Sequence, residues 1–308
     1  MSSPADRPPV VVPVPTASED ALDWAAAEAA ARGLSLRLVH PFRTPLPVDP
    51  FGLAPPADVP PPRTTAAQLL DDALRRARAV AADLVVETAL VPGSTRRVLL
   101  HESRTAGLLV LGGHSSDPFS RVRAVRARLR LAAVAACPVT VVGALPRAAG
   151  PRPSPRVVVG IDGTPTSGAA VGFAVRAARQ RGIALAVVHA WTADPPADLE
   201  GVCACRVATE ADALRLVDRT LAPWRAEFPD VPVTADVRSS DAASALVAVS
   251  DGAALVVLGA PGRHPLTRGF GAVGPAVLAR VGSPVVVVGH EGWGTATTRR
   301  GVRRLSSR

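Results

Sequence analysis

Two long stretches of the chain repeat the same order of apolar and polar positions. The first begins VVVPVPTASEDALDWAAAEAAARGLSLRLVH and the second VVVGIDGTPTSGAAVGFAVRAARQRGIALAVVH. Each opens with valines, continues with apolar residues at helical spacing, and returns to an apolar run that ends in a histidine, His40 or His189. The pattern therefore predicts strand, helix and strand twice, with the two histidines 149 positions apart.

The second half of each copy recurs at nearly the same distance. LLVLGG (108–113) returns as LVVLGA (255–260), and CPVTVVG (137–143) returns as SPVVVVG (283–289). A period of this length is that of a whole domain and not of a solenoid repeat. We therefore expect a first domain at residues 1–146, a linker at 147–155, a second domain at 156–292 and a disordered basic tail at 293–308.

Each copy alternates strands with helices. In the second copy, strand Arg156–Ile161 leads into a helix with Thr164 as N-cap, Pro165 at its first position and Gly182 after its end. The later elements expected there are strands at 184–190, 231–237, 254–258 and 284–288, and helices within 210–228, at 242–250 and near 275–281. This order predicts an α/β fold with a parallel sheet and helices on both faces.

Composition narrows the chemistry. The 308 residues carry 35 cations against 26 acids, a formal charge of +9, and every cation is an arginine. Without lysine the chain cannot form a P-loop lysine site, a Schiff base or a kinase-type strand lysine. Cys203 and Cys205 lack a second ligand pair at zinc spacing, so no metal site is expected. Hydrolase signatures are missing too, and we expect no enzyme activity.

Nothing in the chain predicts export or a membrane span. The N-terminus lacks a basic-then-apolar pattern, and the valine runs are shorter than the roughly 18 residues of a membrane helix. We therefore expect a cytoplasmic protein with no membrane partner. The tail Thr295–Arg308 contains five arginines and no acid but no interleaved aromatic residue, so nucleic acid is not an expected partner.

Two loops of the second copy lie where such sheets bind ligands, beyond the carboxyl ends of strands. Asp162 follows the first strand, and a glycine-rich segment, 259–274, follows the fourth. Glycines let backbone amides approach a ligand, and the next helix would present its positive end to a phosphate. Each feature also fits an ordinary turn, since Asp-Gly is a frequent turn pair. Their occurrence together favours a nucleotide site.

Four motifs of the second copy resemble the universal stress protein family in its tandem, actinobacterial form. They are VVVGIDGTPTS (157–167), VVHAW (187–191), LAPWRAEFPDVPV (221–233) and LVVLGAPG…VLARVGSPVVVV (255–288). The resemblance covers nearly the whole chain. It implies two domains, each with a five-stranded, mostly parallel sheet, the winding of flavodoxin and of adenine nucleotide alpha hydrolases. It also implies an intrachain pseudo-dimer in which Val139–Val142 pairs with Val285–Val288.

One subclass of that family binds ATP with a loop that reads Gly, two residues, Gly, nine residues, Gly, then Ser or Thr. Here Gly259 and Gly262 match the first pair and Gly271 the third glycine, but only eight residues separate Gly262 from Gly271, and Ala272 replaces the hydroxyl residue. The resemblance implies that Asp162 bonds the base or ribose, that Ile161 and Ala190 line the adenine slot, and that Leu258 and Val273 flank it. The full set of implied nucleotide-binding residues is Gly160, Ile161, Asp162, Ala190, Leu258, Gly259, Gly262, Gly271, Ala272 and Val273.

The first copy departs further from the nucleotide-binding pattern. Pro13 or Pro15 stands in place of the aspartate, and Val125 and Arg126 stand where the loop needs Gly and Ser or Thr. Residues 121–130 instead form an arginine-rich helical pattern, in which Val122, Val125 and Leu129 share one face. The arginines fit either a solvated face or a surface for an anion or partner. We expect the first copy to be a supporting domain for the second copy and not a nucleotide-binding site.

Three functions fit the sequence. The favoured one is a stress-response regulatory protein that binds ATP weakly, in the second copy alone, with Mg²⁺ as the counter-ion of the nucleotide. The second is a structural or interaction protein that binds no nucleotide, as the shortened loop and Ala272 suggest. The third is slow ATP hydrolysis, for which no residue is positioned to activate water. Expected partners are adenine nucleotide, and a further copy of the chain or a regulatory protein.

Overall fold

The computed structural model describes residues 7–14, 17–42, 62–112, 118–143, 155–191, 209–260 and 273–289. The described part of the first copy contains five strands and four helices. In chain order they are β1 (Val10–Pro13), α1 (Glu19–Arg32), β2 (Leu36–Phe42), α2 (Pro62–Val80), β3 (Val86–Pro92), α3 (Thr95–Glu102), β4 (Leu108–Gly112), α4 (Pro118–Ala132) and β5 (Val139–Val142).

The described part of the second copy repeats this order. Its elements are β6 (Arg156–Gly160), α5 (Pro165–Arg181), β7 (Ala184–Trp191), α6 (Glu210–Glu227), β8 (Val233–Ser239), α7 (Ala242–Val249), β9 (Leu255–Gly259), α8 (Val273–Arg280) and β10 (Val285–Val288). Every strand and helix predicted for this copy is present, with its ends moved by at most two residues. The prediction of an α/β fold is confirmed.

The chain packs as two compact units, residues 1–113 and 114–308. The sheet of the first unit has the order β3-β2-β1-β4, with all strands parallel. The sheet of the second unit has the order β5-β10-β9-β6-β7-β8. Its strands are parallel except β5, which runs antiparallel to β10.

Strand β6 occupies the middle of the second sheet. Val157, Val158 and Val159 are fully buried, because α5 covers one face of the strand and α7 the other. A strand buried on both faces needs a continuous apolar run instead of an alternating one, and this explains the valine triplet. The same explanation applies to Val10, Val11 and Val12 in β1, which are also fully buried.

Helix α5 begins and ends where the sequence predicts. Pro165 is its first residue, and Gly182 ends it with a left-handed backbone (φ 63°) whose N–H bonds two carbonyls of the last turn. Thr164 has the extended backbone of an N-cap, yet its hydroxyl makes no capping hydrogen bond. That hydroxyl instead bonds the side chains of Asp162 and Thr166.

The predicted pairing of Val139–Val142 with Val285–Val288 is present as the β5–β10 ladder. Val139 pairs with Val287, Thr140 with Val286 and Val141 with Val285. Position 140 of the first copy corresponds to position 286 of the second in the sequence repeat. Thr140 therefore pairs with the equivalent residue of the other copy, Val286, and the ladder is symmetric about this pair. Through this pairing the last strand of the first copy packs in the second unit.

The unit boundary near residue 113 therefore differs from the boundary of the sequence repeat. The predicted domain limits, 1–146 and 156–292, follow the repeat and stay predictions. The linker at 147–155 lies almost wholly outside the described residues, and the tail at 293–308 lies outside them altogether. Among the described helices, none is long and apolar enough to cross a membrane.

Helix α4 differs from its prediction in one residue. Val125 and Leu129 are buried, as expected, but Val122 is 56% exposed. The inward side of the helix is centred closer to Ala132, which is 1% exposed, than to Val122. Val122 consequently falls at the edge of the buried side and faces solvent. Arg123, Arg126 and Arg130 are exposed beside it.

Thr140 provides a test of the β5–β10 ladder. The residue is fully buried, and its Oγ1 has no hydrogen-bond partner in the described structure. Leaving a buried hydroxyl unpaired costs about 1–3 kcal/mol in proteins. We expect Thr140→Val to raise the free energy of unfolding by about 1 kcal/mol, as measured by urea unfolding with an unchanged slope. The reciprocal change, Val286→Thr, should lower it, and stabilisation by both changes would contradict this account.

Asp241 provides a test of the helix caps. Its Oδ2 accepts a hydrogen bond from the Ser244 backbone at 2.9 Å, and this bond lowers the pKa of Asp241. A carboxyl whose pKa is lower in the folded state stabilises the fold above its unfolded pKa of about 3.9, and this stabilisation disappears as the pH falls through the folded pKa. We expect Asp241→Ala to cost about 1 kcal/mol near neutral pH and progressively less below about pH 4. The matched control is Asp251→Ala, a change at an exposed residue after the end of α7, which should leave the free energy of unfolding at neutral pH nearly unchanged.

Candidate functional site

The strand order reverses at β6, and this reversal defines the candidate site. The chain passes from β6 through α5 to β7 on one side, whereas β9 lies against the other side of β6. A crevice for ligands forms at such a reversal, beyond the carboxyl ends of the strands. Gly160 ends β6 and Gly259 ends β9, while Ala190 lies at the end of β7. Sequence reasoning placed its candidate residues at this edge.

Asp162 is held in a tight turn directly after β6. Its Oδ1 accepts hydrogen bonds from the Thr164 backbone at 3.0 Å, from the Thr164 hydroxyl at 2.5 Å and from the Ser167 hydroxyl at 2.5 Å. The Asp162 backbone N–H in turn donates to Ser167 Oγ at 3.0 Å. The three hydrogen bonds accepted by the Asp162 side chain all end at the same oxygen, Oδ1. Within the described structure, Oδ2 of this exposed carboxylate therefore remains available to a ligand.

Gly163 makes the turn after Asp162 possible. Its backbone is left-handed, with φ +80°, a conformation that residues with a Cβ rarely adopt. A Cβ added there would also lie 2.7 Å from Leu216 Cδ1 of α6. The turn thus requires glycine, and a larger residue would also displace the Leu216 side chain. The Asp-Gly pair predicted a turn, but the contact with Leu216 had no signal in the sequence.

His189 supports the same turn from below. The ring is 4% exposed, and its Nδ1–H donates to the carbonyl oxygen of Ile161 at 2.9 Å. Its Nε2 is buried without a hydrogen-bond partner in the described structure. In the first copy it is Nδ1 of His40 that is buried without a partner. The two histidines occupy equivalent strand ends, yet only His189 is bonded to a loop that carries an aspartate.

The end of β9 lies very close to the start of α5. A Cβ on Gly259 would be 3.2 Å from the carbonyl carbon, the carbonyl oxygen and Oγ1 of Thr166. Thr166 is buried, and its hydroxyl is 2.7 Å from that of Thr164. Gly259 is therefore explained by close packing against α5, whatever contact it makes with a ligand. Thr166 and Ser167 are residues of this site that sequence reasoning did not select, although the segment DGTPTS contains both.

Three further candidates lie on the other face of the sheet. Leu258 belongs to a buried apolar cluster formed with α7 and α8, and Ala190 and Val273 pack against that cluster while remaining partly exposed. Ile161 is 6% exposed, as is Leu258, so both side chains are committed to the core. These two residues would reach a ligand through their backbone. Gly160 lies beside the same cluster, 3.1 Å from Leu246 if a Cβ is added.

The structure thus brings the described candidates to one edge of the sheet, but it does not test the phosphate-binding loop. Gly262, Gly271 and Ala272 lie outside the described residues, and so do Cys203 and Cys205. Among the residues that are described, no cluster of three or more His, Cys, Asp or Glu side chains could hold a metal ion.

Comparisons with known proteins identify the family of the chain. The model of the universal stress protein family matches residues 7–143 and again residues 154–289. A universal stress protein of Mycobacterium tuberculosis is 34% identical over 304 residues, which cover 93% of this chain and 99% of the relative. One from Mycolicibacterium smegmatis is 29% identical over 283 residues, covering 88% and 92%. The crystal structure of a universal stress protein from Archaeoglobus fulgidus has the same fold, with a TM-score of 0.62 at 13% identity, covering 91% of this chain and 96% of that one.

The geometry of the Asp162 turn makes a specific prediction about Gly163. We expect Gly163→Ala to lower the free energy of unfolding by about 1–3 kcal/mol, because it strains a left-handed residue and collides with Leu216. Gly168→Ala is the matched control, since an added Cβ there meets nothing within 4 Å. Within helix α5 this control change should stabilise by up to about 1 kcal/mol. Equal effects of the two changes in urea unfolding would show that the turn does not need glycine.

Proposed function

Because the chain belongs to the universal stress protein family, we propose that it is a stress-response regulatory protein that binds an adenine nucleotide, ATP, weakly and in its second copy. This proposal rests on how the two carboxylate oxygens of Asp162 are hydrogen-bonded. One of its oxygens is fixed by the turn and the other is unpaired within the described structure, at the edge of the sheet where the strand order reverses. A carboxylate that is already oriented can accept a hydrogen bond at little entropic cost.

The described residues fit the base and ribose of such a ligand. Asp162 Oδ2 would accept a hydrogen bond from a ribose hydroxyl or from the amino group of adenine. Ala190 and Val273, both partly exposed against the apolar cluster, would contact the flat face of the base. The backbone of Ile161 and of Leu258 would supply further polar contacts. His189 keeps the Ile161 carbonyl in place through its hydrogen bond of 2.9 Å.

The phosphates would bind to the glycine-rich loop that begins at Gly259. In this proposal the backbone amides near Gly262 and Gly271 cradle them, and Mg²⁺ enters with the nucleotide as its counter-ion. Ala272 supplies no hydroxyl donor, and the loop is one residue shorter than in the ATP-binding pattern. Both changes remove contacts to the outer phosphates. We therefore expect modest affinity, with little discrimination between ATP and AMP.

A second function is favoured by the same turn. The three hydrogen bonds to Asp162 Oδ1 give this residue a structural role that needs no nucleotide. The chain could then serve as an interaction protein, in which the two copies form an intrachain pseudo-dimer that presents a surface to a regulatory protein or to another copy of the chain. The β5–β10 ladder supports such a pairing of the copies.

Calorimetric titration of Mg-ATP, AMP and cyclic AMP into the full chain separates the two functions. Asp162→Asn is the decisive variant, because its amide oxygen can replace Oδ1 in the turn while its amino group replaces Oδ2 with a donor. We expect saturable binding of nucleotide to the unchanged chain. In Asp162→Asn the affinity should fall by about tenfold or more, the effect of losing one hydrogen bond to a charged group.

Two controls complete this experiment. Urea unfolding should show that Asp162→Asn folds with nearly unchanged stability, and Asp251→Asn should bind nucleotide normally. Absence of heat with every nucleotide at millimolar concentration would favour the interaction protein instead. Formation of ADP that depends on Asp162 would contradict the expectation that the chain does not hydrolyse ATP.

A further inference from the structure

Helix α4 carries a row of positive charge. Arg123, Arg126 and Arg130 are exposed, and the helix contains no acidic residue. None of these arginines, nor Arg128, forms an ion pair with another described residue, whereas arginines of α1 and α6 pair with acids of their own helix. Among the described elements, those that pack most extensively against α4 are α8 and β10, and neither contains an acid. No acid of the described residues that contact α4 in these two elements therefore neutralises the positive potential of this face.

Arg128 adds to this potential from the inward side of the helix. The residue is only partly exposed, and burial lowers the pKa of its guanidinium group, with no described acid to offset the loss of water. A cation that is partly removed from water is screened less than one on the surface. An incoming carboxylate would thus gain more here than at an ordinary exposed arginine.

Two apolar side chains flank the arginines. Val122 and Val134 are 56% and 57% exposed, the highest values among the large hydrophobic residues of the described structure. Val122, Arg126 and Arg130 follow one another at four-residue intervals along one side of α4, and Val134 continues this interval in the turn after the helix. The row is about 18 Å long at the rise of an α-helix. An apolar valine lies at each end of the row, and the two arginines lie between them.

The sequence repeat shows that this row is specific to the first copy. Helix α8 is the counterpart of α4, and its sequence VGPAVLAR contains a single arginine at its last position. Whether the copies are aligned 146 or 147 positions apart, no counterpart of Arg123, Arg126, Arg128 or Arg130 is charged. The fold of a copy therefore does not require these charges.

We propose that the face formed by Val122, Arg123, Arg126, Arg130 and Val134, the α4 face, is a docking surface for an acidic, amphipathic segment of another protein. The arginines call for an anionic occupant by charge complementarity. The valines at both ends call for apolar groups in that occupant, which a phosphate backbone does not offer. A helix with acids at its centre and aliphatic residues at its ends matches both requirements. This role is independent of nucleotide binding at the other copy.

A synthetic peptide tests the proposal with the full chain. The probe is a fluorescein-labelled 18-residue peptide that presents glutamates between two pairs of leucines on a single helical face. A scrambled peptide of the same composition and a DNA duplex of the same net charge are the reference probes. Fluorescence anisotropy at low and moderate salt should show saturable binding of the designed peptide, at least about tenfold tighter than that of the scrambled one, as expected when burial of two valines adds to ion pairing.

Matched variants locate the binding. The double change Arg126→Glu, Arg130→Glu should lower the affinity for the designed peptide by about tenfold or more, because negative charges on the protein then face the glutamates of the peptide. Arg96→Glu with Arg97→Glu on α3, also exposed and without a described ion pair, makes the same change in net charge and should alter binding by less than about twofold. Val122→Ser with Val134→Ser should weaken binding about three- to tenfold through lost apolar burial.

Three results would overturn the proposal. The first is no binding of the designed peptide at low salt. The second is equal binding of designed and scrambled peptides with no effect of the valine changes, which would mean general attraction of anions. The third is tighter binding of the DNA duplex, lost in the Arg126→Glu, Arg130→Glu variant, which would assign the face to nucleic acid. Circular dichroism of each variant confirms that it is folded.

Discussion

The burial of β6 on both faces is the constraint on which the second copy depends. Its three consecutive valines exclude water on either side, so one helix must cover each face, and α5 and α7 do so. Parallel neighbours β7 and β9 can then be reached only by crossovers through helices. The loops after β6, β7 and β9 consequently converge at one edge. The candidate site is a product of this arrangement, and the tight turn at Asp162 and the close approach of Gly259 to Thr166 complete it.

Much of this arrangement could be predicted from the sequence, because its signals are local. Continuous valine runs indicate buried strands, and Pro165 and Gly182 mark the ends of α5 by backbone preference alone. The repeat then extended each local prediction to the other copy. The positions of Asp162, Ala190 and Gly259 at one sheet edge followed from strand order.

The remainder depends on contacts between distant residues. Helical periodicity placed Val122 with Val125 and Leu129, but which side of α4 is buried is decided by its neighbours in space. His40 and His189 are equivalent in the repeat, and only the structure shows that His189 alone bonds the loop preceding an aspartate. Thr164 fits the N-cap pattern, yet its hydroxyl bonds the Asp162 carboxylate, an acceptor with stronger attraction than a neutral partner would have. Whether Gly262, Gly271 and Ala272 form a phosphate cradle stays a prediction.

The symmetric register of the β5–β10 ladder has a consequence for how this chain can evolve. Two identical subunits that met through this strand would form an isologous homodimer, with each residue facing the counterpart of its partner. In such a dimer every substitution appears twice and must be tolerated on both sides of the axis. Joining the copies in one chain removes that condition, so that Thr140 can face Val286, and arginines can accumulate on α4 while α8 stays apolar. Residues on the two sides of this ladder are therefore free to diverge independently of one another.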